Sequence, residues 1–470
     1  MKNIFLILSL LITSELVYSQ NISFAKWYDF GAAETGYCVQ QTPDSGYVAC
    51  GFQGLGAFSS KMVVMKTDKN GVLQWGKLFG DGSNDQYAYH IINCSAGGYA
   101  VVGYRSGPGF VEDIYVLRLN NAGDTIWTRQ YGTPLVEEGN GIVETADKGF
   151  AVSFWDENDS TGILKIDSAG NFQWWKHYYL FGGANFRNIA LTTSGDFIMA
   201  GVAIIPAGNY QGFVMRANSI GNLIWTKSYG NPSRWSDLYE VQETSDGNII
   251  AGGMMSPSTL WGTYVLKLNA IGDTIWTKYR PPLYDDEMTS IEQCNDGGYI
   301  VAGTTYNPTT SDGNMYIEKL DQYGDTIWTK QFGGANTDYG HYVRQTNDNG
   351  FILVGMTNNW DPSGAGIYLV KTDSTGMLVT GINELSANNF DLSIYPNPST
   401  GVIYFKFDLQ SKYTLEVINE TGQVMLSKEF FEKNSNVEKT IDISFLQSGI
   451  YFLKIQGERS SVVKKVVKID

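Results

Sequence analysis

The sequence predicts an all-β chain: a seven-bladed β-propeller of four-stranded antiparallel blades, followed by a small Ig-like β-sandwich. Three observations carry the propeller. A tryptophan returns at Trp27, Trp75, Trp127, Trp174, Trp225, Trp276 and Trp328, at intervals of 48, 52, 47, 51, 51 and 52 residues. From the second copy on, a glycine stands four residues before it: Gly71, Gly123, Gly170, Gly221, Gly272 and Gly324. Between copies the same order of short strands and tight turns recurs. A period near 50 residues built from short strands marks a propeller, one blade per repeat.

The elements follow in chain order. Residues 1–19 read as a secretory signal: Lys2 supplies the positive start, and the apolar run Ile4 to Ile12 is too short to span a bilayer. The propeller is expected over 20–381. Repeat 6 shows one blade clearly. Ser290 to Cys294 alternates and reads as a first strand. Asn295-Asp296-Gly297-Gly298 is a tight turn, because glycine takes positive φ without penalty. Tyr299 to Gly303 is continuously apolar, as a strand buried on both faces would be. After a variable loop, Met315 to Leu320 is the third strand, Asp321-Gln322-Tyr323-Gly324 a second turn, and Thr326 to Lys330 the fourth strand. One such sheet has two apolar faces, and stacking blades in a ring buries both.

The last repeat lacks a tryptophan in its fourth segment, Met377 to Thr380, whereas Ser23 to Tyr28 at the start carries the fourth-strand signature. The N-terminal strand is therefore expected to complete blade seven and close the ring. The repeated tryptophan is expected to pack between neighbouring blades.

Charge and cysteines narrow the class. The net charge is −15, and the last 83 residues are balanced, with ten basic and ten acidic side chains. The signal is balanced too, so the excess lies in the repeats and disfavours nucleic acid and anionic membranes as partners. No transmembrane segment is expected after signal removal. Cys94 and Cys294 hold equivalent places in distant blades and should not pair. Cys38 and Cys50 flank one hairpin turn; a disulfide or two buried thiols would both fit.

After Gly381 the repeat stops. Residues 382–390 read as a linker, and 391–470 as seven short strands. Tyr395-Pro396-Asn397-Pro398 with Gly401, the stretch Val417 to Val424 containing Gly422, Leu446 to Ile455 containing Gly449 and Tyr451, and the closing Lys464-Lys465-Val466-Val467 come in fixed order. This segment resembles the type A C-terminal sorting domain of the type IX secretion system of Bacteroidetes. The resemblance implies the secretion machinery as partner, passage from the periplasm across the outer membrane, removal of this domain, and release or cell-surface attachment.

Candidate chemistry in the propeller is sparse. His90, His177 and His341 hold different blade positions, His90 at the start of a first strand and His341 just before one. No zinc, serine-hydrolase or phosphate-loop motif is present. A Ser/His/Asp set could still assemble in space, and acid pairs such as Glu137-Glu138 or Asp285-Asp286 could serve a glycosidase. No cofactor is expected. Turns such as Asp321 to Asp325 and Asp373 to Gly376 carry parts of calcium loops, but Asx-turns explain them more simply.

The tryptophans that break the repeat are more informative. Trp155, Trp261 and Trp360 lie in or beside loops between second and third strands, and Trp235 in a loop between blades; Tyr210 and Tyr306 join them on the same face of the disc. With nearby Asp156, Glu157, Asp159, Asp237 and Asp361 they suit a carbohydrate, because flat rings stack on sugars and carboxylates accept hydroxyl hydrogen bonds. The expected function is an exported non-catalytic binding protein whose propeller face takes a glycan or other extracellular ligand. A secreted hydrolase or lyase on polysaccharide, and a structural adhesion protein, are the alternatives. Two carboxyl groups near the ring axis would favour the enzyme; a flat aromatic face without them would favour binding.

Overall fold

The computed structural model describes residues 22–469 except 57–58, 108–110, 159, 206–208, 257–259, 282–285, 307–311, 360–363, 379–392, 408–411, 420–423, 432–436 and 458–460. The expected signal, linker and C-terminal residue lie outside the described residues. The chain divides into two compact units, 1–379 and 380–470.

The first unit is seven four-stranded antiparallel sheets. Six are contiguous; the sixth, for example, runs Asp286–Gln293, Tyr299–Tyr306, Gly313–Leu320 and Thr326–Phe332. The seventh joins Asp338–Gln345, Phe351–Thr357 and Gly366–Thr372 to Phe24–Tyr28, which pairs antiparallel with the third of these. The N-terminal strand thus closes the ring, as the sequence predicts. The first strands are innermost. Each touches the first strands of both neighbouring blades, and that of blade seven meets Ala33–Gln41 of blade one. The second and third strands are buried on both faces, while outer strands such as Leu73–Phe79 are largely exposed. This is why the middle strands read as unbroken apolar runs.

The repeated tryptophan does pack between blades. A Cβ at Gly123, Gly170, Gly221, Gly272, Gly324 or Gly376 would fall within about 3 Å of the indole of the preceding blade's tryptophan. Each of these glycines also has φ between +74° and +81°. The small residue therefore serves the turn and the ring contact at once.

One detail of the closure differs from expectation. Trp27 is not the seventh copy. Trp75, Trp127 and Trp328 stand opposite Lys66, Arg118 and Lys319; in blade seven the residue opposite the equivalent Lys371 is Phe24, and Trp27 pairs with Tyr368. Phe24 packs on Gly71 and edge-on to Tyr47 at 5.9 Å, as Trp328 packs on Gly376 and edge-on to Phe351 at 5.9 Å. Tyr28, four residues on, donates to the Gly71 carbonyl at 2.7 Å, the bond Tyr229 makes to Gly272. Phe24 is 6% exposed and Trp27 37%. A phenyl ring thus fills in blade seven the place that an indole fills in the other six.

The residue opposite each repeat aromatic is a lysine or arginine that reaches the blade's first turn; all are buried except Arg216, which is half-buried and pairs with Asp196 at 2.7 Å. Lys66, Lys165, Lys267, Lys319 and Lys371 bond Asp44, Asp147, Asp246, Asp296 and Asp348 at 2.6 to 2.9 Å. In blade two the turn has no aspartate, and Arg118 donates instead to the carbonyls of Gly97, Tyr99 and Leu119. Partial burial opposes ionisation of Asp147, but bonds from Thr145, Lys165 and the Gly149 N–H outweigh it and hold the carboxyl down to about 2. A depressed carboxyl contributes stability above its unfolded value near 3.9, and loses it as pH falls through the folded value. Asp147→Asn is therefore expected to lower the thermal midpoint at pH 7, with the deficit against wild type shrinking between about pH 4 and pH 2. A deficit that stays constant across that range would sink this assignment.

The four cysteines are free and buried, with Cys38 directly opposite Cys50 across the first hairpin. Each thiol donates to a carbonyl of blade two, Ile91 and Ala88 respectively.

The second unit is two small sheets. One joins Ser393–Tyr395, Val402–Phe407 and Val437–Asp442; the other has the order Val424–Phe431, Lys412–Asn419, Gly449–Gly457, Ser461–Lys468. Ile403, Phe405 and Ile441 from the first sheet and Leu415, Val417, Leu453 and Ile455 from the second share one core.

Candidate functional site

Every inner strand carries a β-bulge at the same place. The register slips between Gly36 and Cys38, Ala88 and His90, Gly139 and Gly141, Phe186 and Asn188, Leu238 and Glu240, Met288 and Ser290, and Gly340 and Tyr342. A bulge leaves one residue unpaired and re-aims its side chain. The seven bulged residues are Tyr37, Tyr89, Asn140, Arg187, Tyr239, Thr289 and His341, and all line one axial cavity of about 330 Å³. In six blades the facing residue is a glycine (Gly51, Gly103, Gly201, Gly253, Gly303, Gly355). A Cβ there would lie 1.8 to 2.0 Å from the carbonyl oxygen two residues before the bulged one. Blade three has Phe154 at that place and a glycine, Gly139, opposite it.

The bulged side chains tie the blades together. Tyr37 packs against His341 at 5.1 Å and Tyr89 at 5.4 Å. The Asn140 amide donates to the Phe186 carbonyl at 2.6 Å. Arg187 pairs with Asp237 at 2.9 Å and lies over the Tyr239 ring at 5.3 Å. The Thr289 hydroxyl donates to the Gly340 carbonyl at 3.1 Å.

Glu138 joins them in the lining. It accepts from the Tyr89 hydroxyl at 3.5 Å, and the Trp155 indole and the Glu112 carboxyl lie close enough to act on it. Burial first, and the Glu112 carboxyl second, push Glu138 well above the usual carboxylate range. Burial pulls His341 down to about 4, so its imidazole is neutral at pH 7. Among the described residues, neither the His341 nitrogens nor the Tyr37 hydroxyl has a hydrogen-bond partner.

A polar network floors the cavity. His90, Asn188 and Tyr342 line both it and a second cavity of about 230 Å³ on the other side. His90 Nδ1 accepts from the Ile142 N–H at 3.2 Å, so Nε2 carries the proton and donates to the Tyr342 oxygen at 3.1 Å. Burial holds His90 down to about 3. Arg344 also donates to Tyr342, and pairs with Glu240 at 2.7 Å and Glu292 at 3.7 Å. Glu240 in turn accepts from the Ser290 hydroxyl at 2.6 Å and the Ile291 N–H at 2.8 Å.

The aromatic residues picked from the sequence divide into three groups. Trp155 and Arg187 line both the axial cavity and an adjoining one of about 250 Å³, which Tyr210 also lines. Tyr210 meets Trp235 edge-on at 4.8 Å, and Trp235 meets Trp261 at 6.0 Å. Trp235 is 48% and Tyr210 39% exposed. Aromatic rings thus lead outward from the axis through Trp155 and Tyr210 to Trp235 and Trp261. Tyr306 stands apart, packed on Tyr339 at 6.3 Å and donating to Glu287 at 3.3 Å. Trp360 lies outside the described residues, as do Asp159 and Asp361.

Several positions differ from the sequence reading. Trp235 begins the strand Trp235–Glu243 rather than lying in a loop, and His90 and His341 lie within first strands. The bulge interrupts the two-residue alternation, so first strands read as starting after it. Asp156 and Asp237, expected to be ready for sugar hydroxyls, are already engaged by Ser160, His177 and Arg187. Ser160, His177 and Asp156 do meet, but Ser160 is buried, donates to Asp156, and shares His177 Nδ1 with it. A nucleophile needs its base on the opposite imidazole nitrogen, so this trio is a clasp. Among the described residues no group of three His, Cys, Asp or Glu could hold a metal ion. The Asp321 carboxylate accepts from the Tyr323 and Asp325 N–H groups, the bonds of an Asx-turn.

In the second unit the motif residues converge. The Asn397 amide donates to the Lys465 carbonyl at 2.7 Å and accepts from the Val467 N–H at 2.8 Å, so Tyr395 to Pro398 is pinned to the last strand, which also carries Lys464. The Tyr451 hydroxyl donates to the Gln447 carbonyl at 3.0 Å, with Gly449 between them, and Gly401 packs near Ser444. Gly422 lies outside the described residues.

Residues 393–469 match the family model of the secretion system C-terminal sorting domain. No curated protein is a significant match. Among solved structures the chain is similar to a protein of unknown function from Bacteroides caccae, with 11% identity, a TM-score of 0.40, and coverage of 64% of this chain and 94% of that one. It is also similar to the WD40 domain of Neurospora crassa Pan2, with 10% identity, a TM-score of 0.46, and coverage of 72% and 89%. For a puromycin hydrolase the values are 12%, 0.47, 80% and 59%. Likenesses at this level say nothing of ligand or activity.

Proposed function

We propose that this type IX-sorted β-propeller is an exported glycan-binding protein. In this reading it reaches the type IX machinery through the periplasm after its signal is removed. The sugar chain enters the axial cavity by its end and lies outward over Trp155, Tyr210, Trp235 and Trp261. One observation carries the reading: seven bulges aim seven side chains of five kinds into one cavity, in a molecule whose strands and turns otherwise repeat from blade to blade. Repetition serves stacking, so the non-repeating positions answer to a ligand.

The lining fits a polyhydroxyl ligand. Rings offer stacking faces, while Glu138, Asn140, Tyr37 and His341 offer hydrogen bonds. Among the described residues that line the cavity the one arginine or lysine is Arg187, and it is paired with Asp237.

Affinity electrophoresis of the mature chain through a panel of neutral polysaccharides tests this. At least one is expected to retard the protein, and Trp155→Ala or Trp235→Ala to weaken that retardation about tenfold, the worth of one stacking contact. Retardation indifferent to both changes would move the ligand off this face.

A further inference from the structure

We propose that the axial end of this groove is catalytic, Glu138 and His341 acting as acid and base in the hydrolysis of a terminal glycosidic bond. This rests on the glycan reading and deepens it.

The geometry limits the roles. Glu112 acts on Glu138 at close range, too near for the two to flank a sugar as nucleophile and acid partner. They are therefore one proton-holding unit, with Glu138 in the cavity and Glu112 positioning it. The base must come from elsewhere. His341 lies on blade seven and Glu138 on blade three, the widest separation a seven-membered ring allows, and both line the cavity. His341 has no hydrogen-bond partner among the described residues, and its imidazole is neutral at pH 7. A neutral acid and a neutral base then face one space.

The step balances with water as the only co-reactant. His341 takes a proton from water as its oxygen bonds the anomeric carbon. The bond from that carbon to the bridging oxygen breaks, and Glu138 delivers its proton to that oxygen. Imidazolium and carboxylate remain, and exchange with solvent restores both. Glu138 shares the cavity lining with Trp155, the first ring of the groove, so the bridging oxygen lies there and the terminal sugar lies toward the axis. His90 and Tyr342, bonded to each other, lie between this cavity and the second one, where on this reading they keep a chain from threading through. Cleavage is therefore from the end, releasing short sugars.

The test uses the mature full-length chain with whichever polysaccharides retard it, and follows released sugars by chromatography. Small sugars are expected to accumulate while the bulk chain length falls slowly. Glu138→Gln should cut the rate about a hundredfold or more, far beyond any weakening of retardation. The charged and titratable groups facing Glu138 are Glu112, Tyr89, Tyr104 and Arg187. Removing the Glu112 charge in Glu112→Gln should move the alkaline loss of activity to lower pH, which a merely structural role would not do. A retained polysaccharide that stays intact, or an active Glu138→Gln variant, overturns the proposal and leaves binding standing. A protein retarded by no polysaccharide removes the glycan reading, and this inference with it.

Discussion

Deleting residues 21–30 is expected to destabilise the propeller by more than about 5 kcal/mol, beyond the ordinary range of single-site effects. The deletion removes the outer strand of blade seven, its pairing with Gly366–Thr372, and the ring that fills the gap over Gly71. Point variants separate the strand from its anchor. Phe24→Ala should cost about 3–5 kcal/mol, as deletion of a buried phenyl ring does. Trp27→Ala should cost under about 1 kcal/mol, because Trp27 is 37% exposed and off the repeat position. Thermal or urea unfolding of the three proteins measures this, and a Trp27→Ala loss larger than that of Phe24→Ala would refute the register.

Arg344→Leu is expected to cost about 3–5 kcal/mol, because it strips the cation from buried acids rather than removing a whole pair. The Glu240 side chain is 4% exposed and Arg344 is its only ion-pair partner among the described residues; Glu292 faces the same guanidinium. Burial already pushes the Glu292 carboxyl up, and Arg344 is the largest opposing influence. Adding Glu240→Gln to Arg344→Leu should recover part of the loss, since one stranded charge is then gone. If the double variant is no more stable than Arg344→Leu alone, the network is not what holds the floor.

The blade count, the hairpin turns and the closing strand were legible because each rests on local chemistry repeated many times. Glycine at a positive φ, two-residue alternation and unbroken apolar middle strands survive averaging over seven copies. The identity of the seventh ring was not, because Phe24 breaks the tryptophan pattern while Trp27 imitates it three residues away. Its interval gave a signal: Trp75 lies 51 residues after Phe24, matching the other spacings better than the 48 from Trp27.

The site was legible only at its outer part. Trp155, Tyr210, Trp235 and Trp261 stood out because they break the repeat. The axial residues did not, because a bulge destroys the alternation that marks a strand, and first strands therefore read as beginning too late. The glycines Gly51, Gly103, Gly201, Gly253, Gly303 and Gly355 hold the missing clue. A glycine recurring inside an apolar strand means a close backbone approach, here to the carbonyl beside each bulge. Glu138 was visible as half of an acid pair with Glu137. Its true partner is Glu112, because Glu137 turns to the other side of its strand and accepts from the Thr133 N–H.

On the proposed reading, the bulged side chains make one ligand site at the ring axis. The most direct test is a calorimetric titration of the mature chain with oligosaccharides of a polysaccharide that retards it, comparing wild type with a Tyr37→Ala/Asn140→Ala double variant. These two residues sit on blades one and three and meet only through the cavity. Binding is expected to fall a hundredfold or more in the double variant, about tenfold for each lost contact. Unchanged affinity in a folded double variant would contradict the claim and place the ligand elsewhere.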